Sequence, residues 1–222
     1  MLIAYQINWN PVLDHRHAFL VGAWIDVWIT LISFALACLL GVAIALLRTS
    51  GLKLLSWPAF VYVQLIRGVP LLVFLYWVYF GLAIVTGIAF TSDQAAIIAL
   101  TITGSAYTAE IFRAAMSGVE RGQAEAATAL GFSRRASFRH VLFPQAFRIA
   151  VPPLGNTFIG LLKGATLISI IGVTDMVYQA NQINLDYFTP FEPFTAVAVI
   201  LIVLVAVYSL VLTGIERVLR TP

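Results

Sequence analysis

The stretch Phe194-Thr-Ala-Val-Ala-Val-Ile-Leu-Ile-Val-Leu-Val-Ala-Val-Tyr-Ser-Leu-Val-Leu-Thr-Gly-Ile215 holds no charged residue. As a helix it would be about 33 Å long at about 1.5 Å per residue, enough to cross a hydrocarbon core of about 30 Å. The rest of the chain is built the same way. Of 222 residues, 61% are hydrophobic and 10% charged, and mean hydropathy is +0.95. A soluble domain carries about 25% charged residues, and a chain this short could not hide so much apolar surface. Composition therefore excludes a soluble enzyme, a DNA-binding domain and a disordered tail. Cys38 is the sole cysteine, so no internal disulfide can form.

Four more stretches reach span length: about 18–47, with Asp26 near its start, then 69–90, 95–116 and 147–173. The expected fold is an all-α membrane protein with about five transmembrane helices. Residues 1–17 form a segment outside the membrane, and 18–222 a single transmembrane domain. Residues 1–17 lack the basic flank and cleavage site of a signal peptide. The few charges give the orientation. Arg48 and Lys53 follow the first span. Arg113, Arg121, Arg134, Arg135, Arg139 and Arg148 lie between the third and fourth, and Arg217 and Arg220 follow the fifth. Ten of the thirteen basic residues thus fall on one side. The other side holds Arg16 with Asp14, Asp93, Asp175, Asp186 and Glu192. Lysine and arginine favour the cytoplasm, which puts the N-terminus outside and the C-terminus inside.

The loop at 118–144 carries the most information. Residues 123–130 (Gln-Ala-Glu-Ala-Ala-Thr-Ala-Leu) favour helix, with Arg121 and Glu125 spaced to pair on one face. Gly131 suits a left-handed stop. Ser133 suits the cap of a second helix carrying Arg134, Arg135 and Arg139, after which Pro144 restarts the chain. The first helix has a small-residue face of Ala124, Ala127 and Ala126 that admits another protein. By charge alone, the hairpin could equally lie on anionic lipid.

Glu125-Ala126-Ala127, three residues, Gly131, nine residues, Val141, one residue, Phe143-Pro144 resembles the EAA loop of bacterial ABC-importer permeases. Val141 and Phe143 stand where that family has Ile and Leu. Tyr62–Val73, Tyr79–Leu82, Ser105–Arg113, Pro144-Gln-Ala146 and Leu154-Gly-Asn156 resemble the polar amino-acid group within it, serving histidine, glutamine, arginine, glutamate or opines. The likeness runs from about Gly22 to the C-terminus. It implies a bacterial inner-membrane, multi-pass permease subunit of an ATP-driven amino-acid importer, working by alternating access. By the same likeness, 118–144 is a coupling loop whose Glu125, Ala126, Ala127 and Gly131 contact a cytoplasmic ATPase. The implied partners are ATPase subunits, a second permease chain, same or homologous, and an extracytoplasmic amino-acid binding protein. ATP and magnesium would be held by the ATPase, with no cofactor, metal site or nucleic acid in this chain. Val69 replaces the family's Thr, and Gly164 replaces its acidic or amide residue.

An ionisable side chain in the hydrocarbon usually faces protein or water. Arg67 sits in Arg-Gly-Val-Pro, where Gly68 and Pro70 break the helix, and it could clamp a carboxylate. Its plainer reading is an arginine snorkelling to the headgroups. Asn156, Lys163, Thr166 and Ser169 form a stripe on the fourth span, after Pro152-Pro153 open or kink it. They suit a substrate pathway or a helix interface. The pathway candidates are Arg67, Asn156, Lys163 and Thr166. Glu110 and Arg113 read as an interfacial pair, Thr101, Ser105 and Thr108 as a packing face, and Asp26 as an interfacial carboxylate. The chain is expected to catalyse nothing. It lacks a phosphate loop, and His15, His17 and His140 lie outside the spans, which argues against an intramembrane protease. A secondary transporter or channel without an ATPase is the alternative.

Overall fold

The computed structural model describes residues 6–220, and every regular element in them is helical. The side chains of Arg121, Leu219 and Arg220 lie outside the described residues, and with them the Arg121–Glu125 pairing. The helices are α1 (Asn10–Asp14), α2 (Arg16–Thr49), α3 (Lys53–Gly68), α4 (Leu71–Tyr76), α5 (Leu82–Thr86) and α6 (Ser92–Ser117). Then follow α7 (Arg121–Ala129), α8 (Arg134–Ser137), α9 (Phe143–Ala165), α10 (Met176–Tyr187) and α11 (Phe191–Arg220). One π-turn, Trp77–Gly81, joins α4 to α5, another, Phe138–Leu142, joins α8 to α9, and a 3-10 turn at Ile168–Ile171 follows α9.

Helices α2, α6 and α11 are long and apolar enough to cross a membrane. They match three of the expected spans to within a few residues. The second expected span, 69–90, falls on the run from α4 to α5, and a further apolar helix, α3, ends just before it at Val69-Pro70. Proline has no N–H to continue the ladder and forces the residue before it out of the α region. Val69 accordingly sits extended at φ −91°, ψ 127°. Helix α9 has the length of a span, but Arg148, Asn156 and Lys163 make it too polar to stand out by hydropathy. Pro152 and Pro153 lie inside it and do not open it. Pro144 does not restart the chain either: the run from α8 passes through the π-turn into α9, and Pro144 stands just after that turn.

The described residues divide into two compact units, 6–33 with 71–100 and 160–208, and 34–70 with 101–159 and 209–220. In the first, Val12, Phe19, Ala23, Met176, Ala180, Ile183 and Val197 form the core. A Cβ on Gly22 would lie 2.6 Å from the backbone nitrogen of Met176, so only glycine lets α2 close on the start of α10. That closure buries Asp26 completely, 3.5 Å from the Met176 N–H, rather than leaving it at the headgroups. Asp175 caps α10, accepting from the Tyr178 N–H at 2.7 Å.

In the second unit α2 and α6 meet at Gly41, where a Cβ would fall 2.0 Å from the Thr108 hydroxyl oxygen. That hydroxyl donates to the Ala37 carbonyl at 2.8 Å. Ser105 meets the Tyr62 hydroxyl at 2.7 Å. Thr101, Ser105 and Thr108 are all buried, as a packing face requires. Ala115, Ala150 and Leu154 form a small core with Phe34, Cys38, Ile111 and Phe112 against it.

Candidate coupling surface and translocation residues

The loop after α6 folds into the expected short helix, two residues ahead of where propensity puts its start. Glu120 precedes α7 in extended backbone. At the other end, Gly131 takes φ +81°, its N–H bonds to the Thr128 carbonyl at 3.0 Å, and the Phe132 N–H bonds to the Ala127 carbonyl at 3.1 Å. These two bonds close a helix end around a left-handed residue, a conformation glycine adopts at little cost. Ser133 caps α8 by accepting from the Ala136 N–H at 3.3 Å, as its position predicts. The amide of Gln145 on α9 donates to Gln123 on α7 at 3.1 Å, so the short helix is tied to the long one.

On α7, Glu125 and Ala126 are exposed, as is Gly131 beyond it. Ala127 is 3% exposed and faces the protein, so it supports the helix instead of offering itself to a partner. Leu130 is 78% exposed, an apolar side chain held out beside the glycine. Behind the loop lies an apolar cavity of about 110 Å³, walled by Phe138, Phe143 and Phe147 and by Phe112 and Met116 of α6.

Glu110 on α6 accepts from Arg113, whose Nε lies at 3.0 Å, and from Arg48 at the end of α2. The pair expected at Glu110–Arg113 is therefore a three-residue cluster. Arg48 also lies over the Phe60 ring, 5.4 Å from its centroid, bringing α3 to the same point. Sequence reasoning missed Arg48 because it had already been given a topological explanation.

Arg67 is exposed at the end of α3, with its guanidinium carbon 5.3 Å from the centroid of Tyr107 on α6. It makes no hydrogen bond or ion pair with a described residue. Nothing lies within 4 Å of where a Gly68 Cβ would be. Asn156 belongs to the same unit and is exposed on α9. Lys163 and Thr166 belong to the other unit. Lys163 is exposed, and the Thr166 hydroxyl donates to the Lys163 carbonyl at 2.7 Å. A Cβ on Gly164 would lie 2.6 Å from a Leu71 methyl, so leucine fills the space a side chain would take there. Tyr107 and Leu71 were both within stretches that carried the resemblance, but neither is polar enough to attract notice alone. Among the described residues no group of three potential metal ligands occurs.

Residues 37–221 match the pattern of the family described as "binding-protein-dependent transport system inner membrane component". The chain is 38% identical over 216 residues to the probable amino-acid ABC transporter permease protein YckA of Bacillus subtilis, covering 93% of this chain and 95% of that one. It is 32% identical over 213 residues to the glutamine transport system permease protein GlnP of Escherichia coli, covering 96% and 97%. Among solved structures, a chain of an amino acid ABC transporter crystallised with histidines superposes with a TM-score of 0.90 at 34% identity, covering 96% of this chain and 99% of that one.

Proposed function

The chain belongs to the inner membrane components of binding-protein-dependent transport systems, and from that membership we propose that the solute it carries inward is an amino acid. It is a multi-pass inner-membrane protein and not itself an enzyme, since ATP hydrolysis in this family is done by a partner. Family membership implies ATPase and binding-protein partners in general. For this chain the reading is more specific. Five spans cross the bilayer, α9 being the fourth, with the N-terminus outside. A second permease chain completes the pathway, two ATPases holding ATP and magnesium sit beneath, and an extracytoplasmic binding protein delivers the amino acid. ATPase closure pushes on α7, and through it on α9 and the spans, so that access alternates between the two sides. Arg67, Asn156, Lys163 and Thr166 line the route.

The observation that carries this reading is the mounting of α7. Its end is closed at Gly131, it is tied to α9 through Gln123 and Gln145, and it presents Glu125, Ala126 and Gly131 outward. A surface made to be pushed must be rigid, exposed and attached to a spanning helix. Removing residues 123–130 is expected to abolish co-purification of the ATPase while the spans still insert. Undiminished co-purification refutes the coupling role. Uptake by the chain alone on an ion gradient would favour a secondary transporter instead.

A further inference from the structure

The apolar cavity beside the last turns of α2 and α6 has no part in the coupling reading. The π-turn Phe138–Leu142 builds one wall of it. In a regular α-helix five residues would turn Phe143 about 140° away from Phe138. A π-turn bonds residue i to i+5 instead, and the two rings meet at 6.1 Å between centroids. Phe147, one α-turn further on, meets Phe143 at 6.3 Å. The three rings thus stand in one column. Val42 and Leu46 of α2 line the cavity with them. Its buried lining takes one alanine from each of three helices, Ala45, Ala115 and Ala146, and these small side chains leave the space open. Every lining residue belongs to the same compact unit.

Every lining side chain is apolar, so no group there holds a water. The volume of about 110 Å³ suits a few methylenes, since a cavity of about 150 Å³ takes a benzene. The three phenylalanines, Val42 and Leu46 are exposed, so the cavity opens outward. Val42 and Leu46 lie on a helix long and apolar enough to cross a membrane, just before Arg48. The opening therefore meets acyl chains near the level of the headgroups. The neighbouring chain is basic. No acid stands between Glu125 and Asp175, whereas Arg134, Arg135, Arg139 and Arg148 do. All four are exposed, and none makes a hydrogen bond or ion pair with a described residue. Arg139 follows Phe138 in the π-turn, and Arg135 stands one turn before it. Unpaired arginines beside a dry apolar cleft match a molecule with an anionic head and a hydrocarbon tail. We propose that the cleft holds one acyl chain of an anionic phospholipid, with Arg135 and Arg139 binding its headgroup phosphate. A soluble partner fits less well, because it would have to carry an apolar side chain below the level of Arg48. The site goes beyond the transport reading and holds whichever side of the membrane this end faces.

The test uses the purified permease–ATPase complex, stripped of lipid in detergent, and two photoactivatable lipids with the same diazirine-bearing acyl chain, a phosphatidylglycerol and a phosphatidylcholine. Peptides holding Val42–Leu46 and Phe138–Phe147 should be labelled by the phosphatidylglycerol about twenty-fold more strongly than by the phosphatidylcholine. Arg135→Gln together with Arg139→Gln should remove most of that preference, about five-fold for each arginine. Ala146→Leu, which fills the cleft, should abolish labelling of these peptides by either lipid and leave labelling elsewhere on the chain intact. The arginine pair lies on the surface and keeps the test decisive if Ala146→Leu does not fold. Equal labelling by the two lipids, or a preference untouched by the arginine pair, overturns the anionic site. Unchanged labelling of a folded Ala146→Leu complex places the acyl chain outside the cleft and overturns the proposal. Labelling of the chain alone that disappears in the complex shows the ATPase covering the cleft, and overturns it as well.

Discussion

Two glycines show how differently the same residue type works in this chain. Gly41 is a contact: its missing side chain is where the Thr108 hydroxyl sits, and the Ala109 backbone nitrogen is 2.9 Å from the same point. Gly160 meets nothing within 4 Å and lies inside α9. Alanine at 41 must push α2 off α6 and cost the Thr108–Ala37 hydrogen bond, a loss of about 2 kcal/mol by the usual penalty of overpacking. Alanine at 160 relieves the chain entropy that glycine carries in a helix and should gain up to about 1 kcal/mol. Thermal unfolding of the detergent-solubilised protein checks both, and the two substitutions should move the midpoint in opposite directions. Sequence alone could not separate them. Gly164, four residues further along α9, is approached by Leu71 where Gly160 is not.

At the scale of elements, the junction of α2 and α10 is the least comfortable. Asp175 is fully buried, and its second carboxylate oxygen, like one of Asp26, meets no donor. Burial pushes the Asp175 carboxyl up to about 7 from an ordinary 3.8, against the pull of the N–H groups that α10 aims at it. A carboxyl whose folded value is raised holds its proton more tightly folded than unfolded. Its contribution to stability is greatest in acid and is lost as pH rises from about 4 to about 7. The protein should therefore be more stable at pH 5 than at pH 8, by an amount on the order of 2 kcal/mol. Asp175→Asn keeps a capping side chain and should weaken that dependence, the buried Asp26 carboxyl retaining part of it, which melting curves across the range will measure. In sequence Asp26 and Asp175 are one acid beside a span and one in a loop. Nothing in spacing brings positions so far apart together, and Gly22, which does, reads as one small residue among many.

For the molecule as a whole, most of the fold was legible because its charges are few. Each arginine or carboxylate in an apolar chain marks an end, a loop or a polar contact, and α2, α6 and α11 lie where those marks put them. The short helix α7 was legible for a different reason: helix propensity, a glycine stop and a serine cap are local instructions, and they held at Ala124, Gly131 and Ser133. What failed was non-local. Helix α3, ahead of the break at Val69-Pro70, did not stand out as a helix of its own, and the Tyr107 ring under Arg67 depends on α3 meeting α6. A last consequence concerns the membrane. The exposed apolar side chains of α2 run from Leu20 to Leu47, a band about 40 Å tall at about 1.5 Å per residue. Ordinary hydrocarbon is about 30 Å thick, so the helix must lean by about 40° or the surrounding bilayer must swell to meet it. Reconstituted with its partners, the protein should transport several-fold more slowly in vesicles of fourteen-carbon lipids than in those of eighteen, and equal rates would mean that the ends of α2 are covered by protein. Acyl-chain length would then tune this pump as directly as any substitution in its sequence.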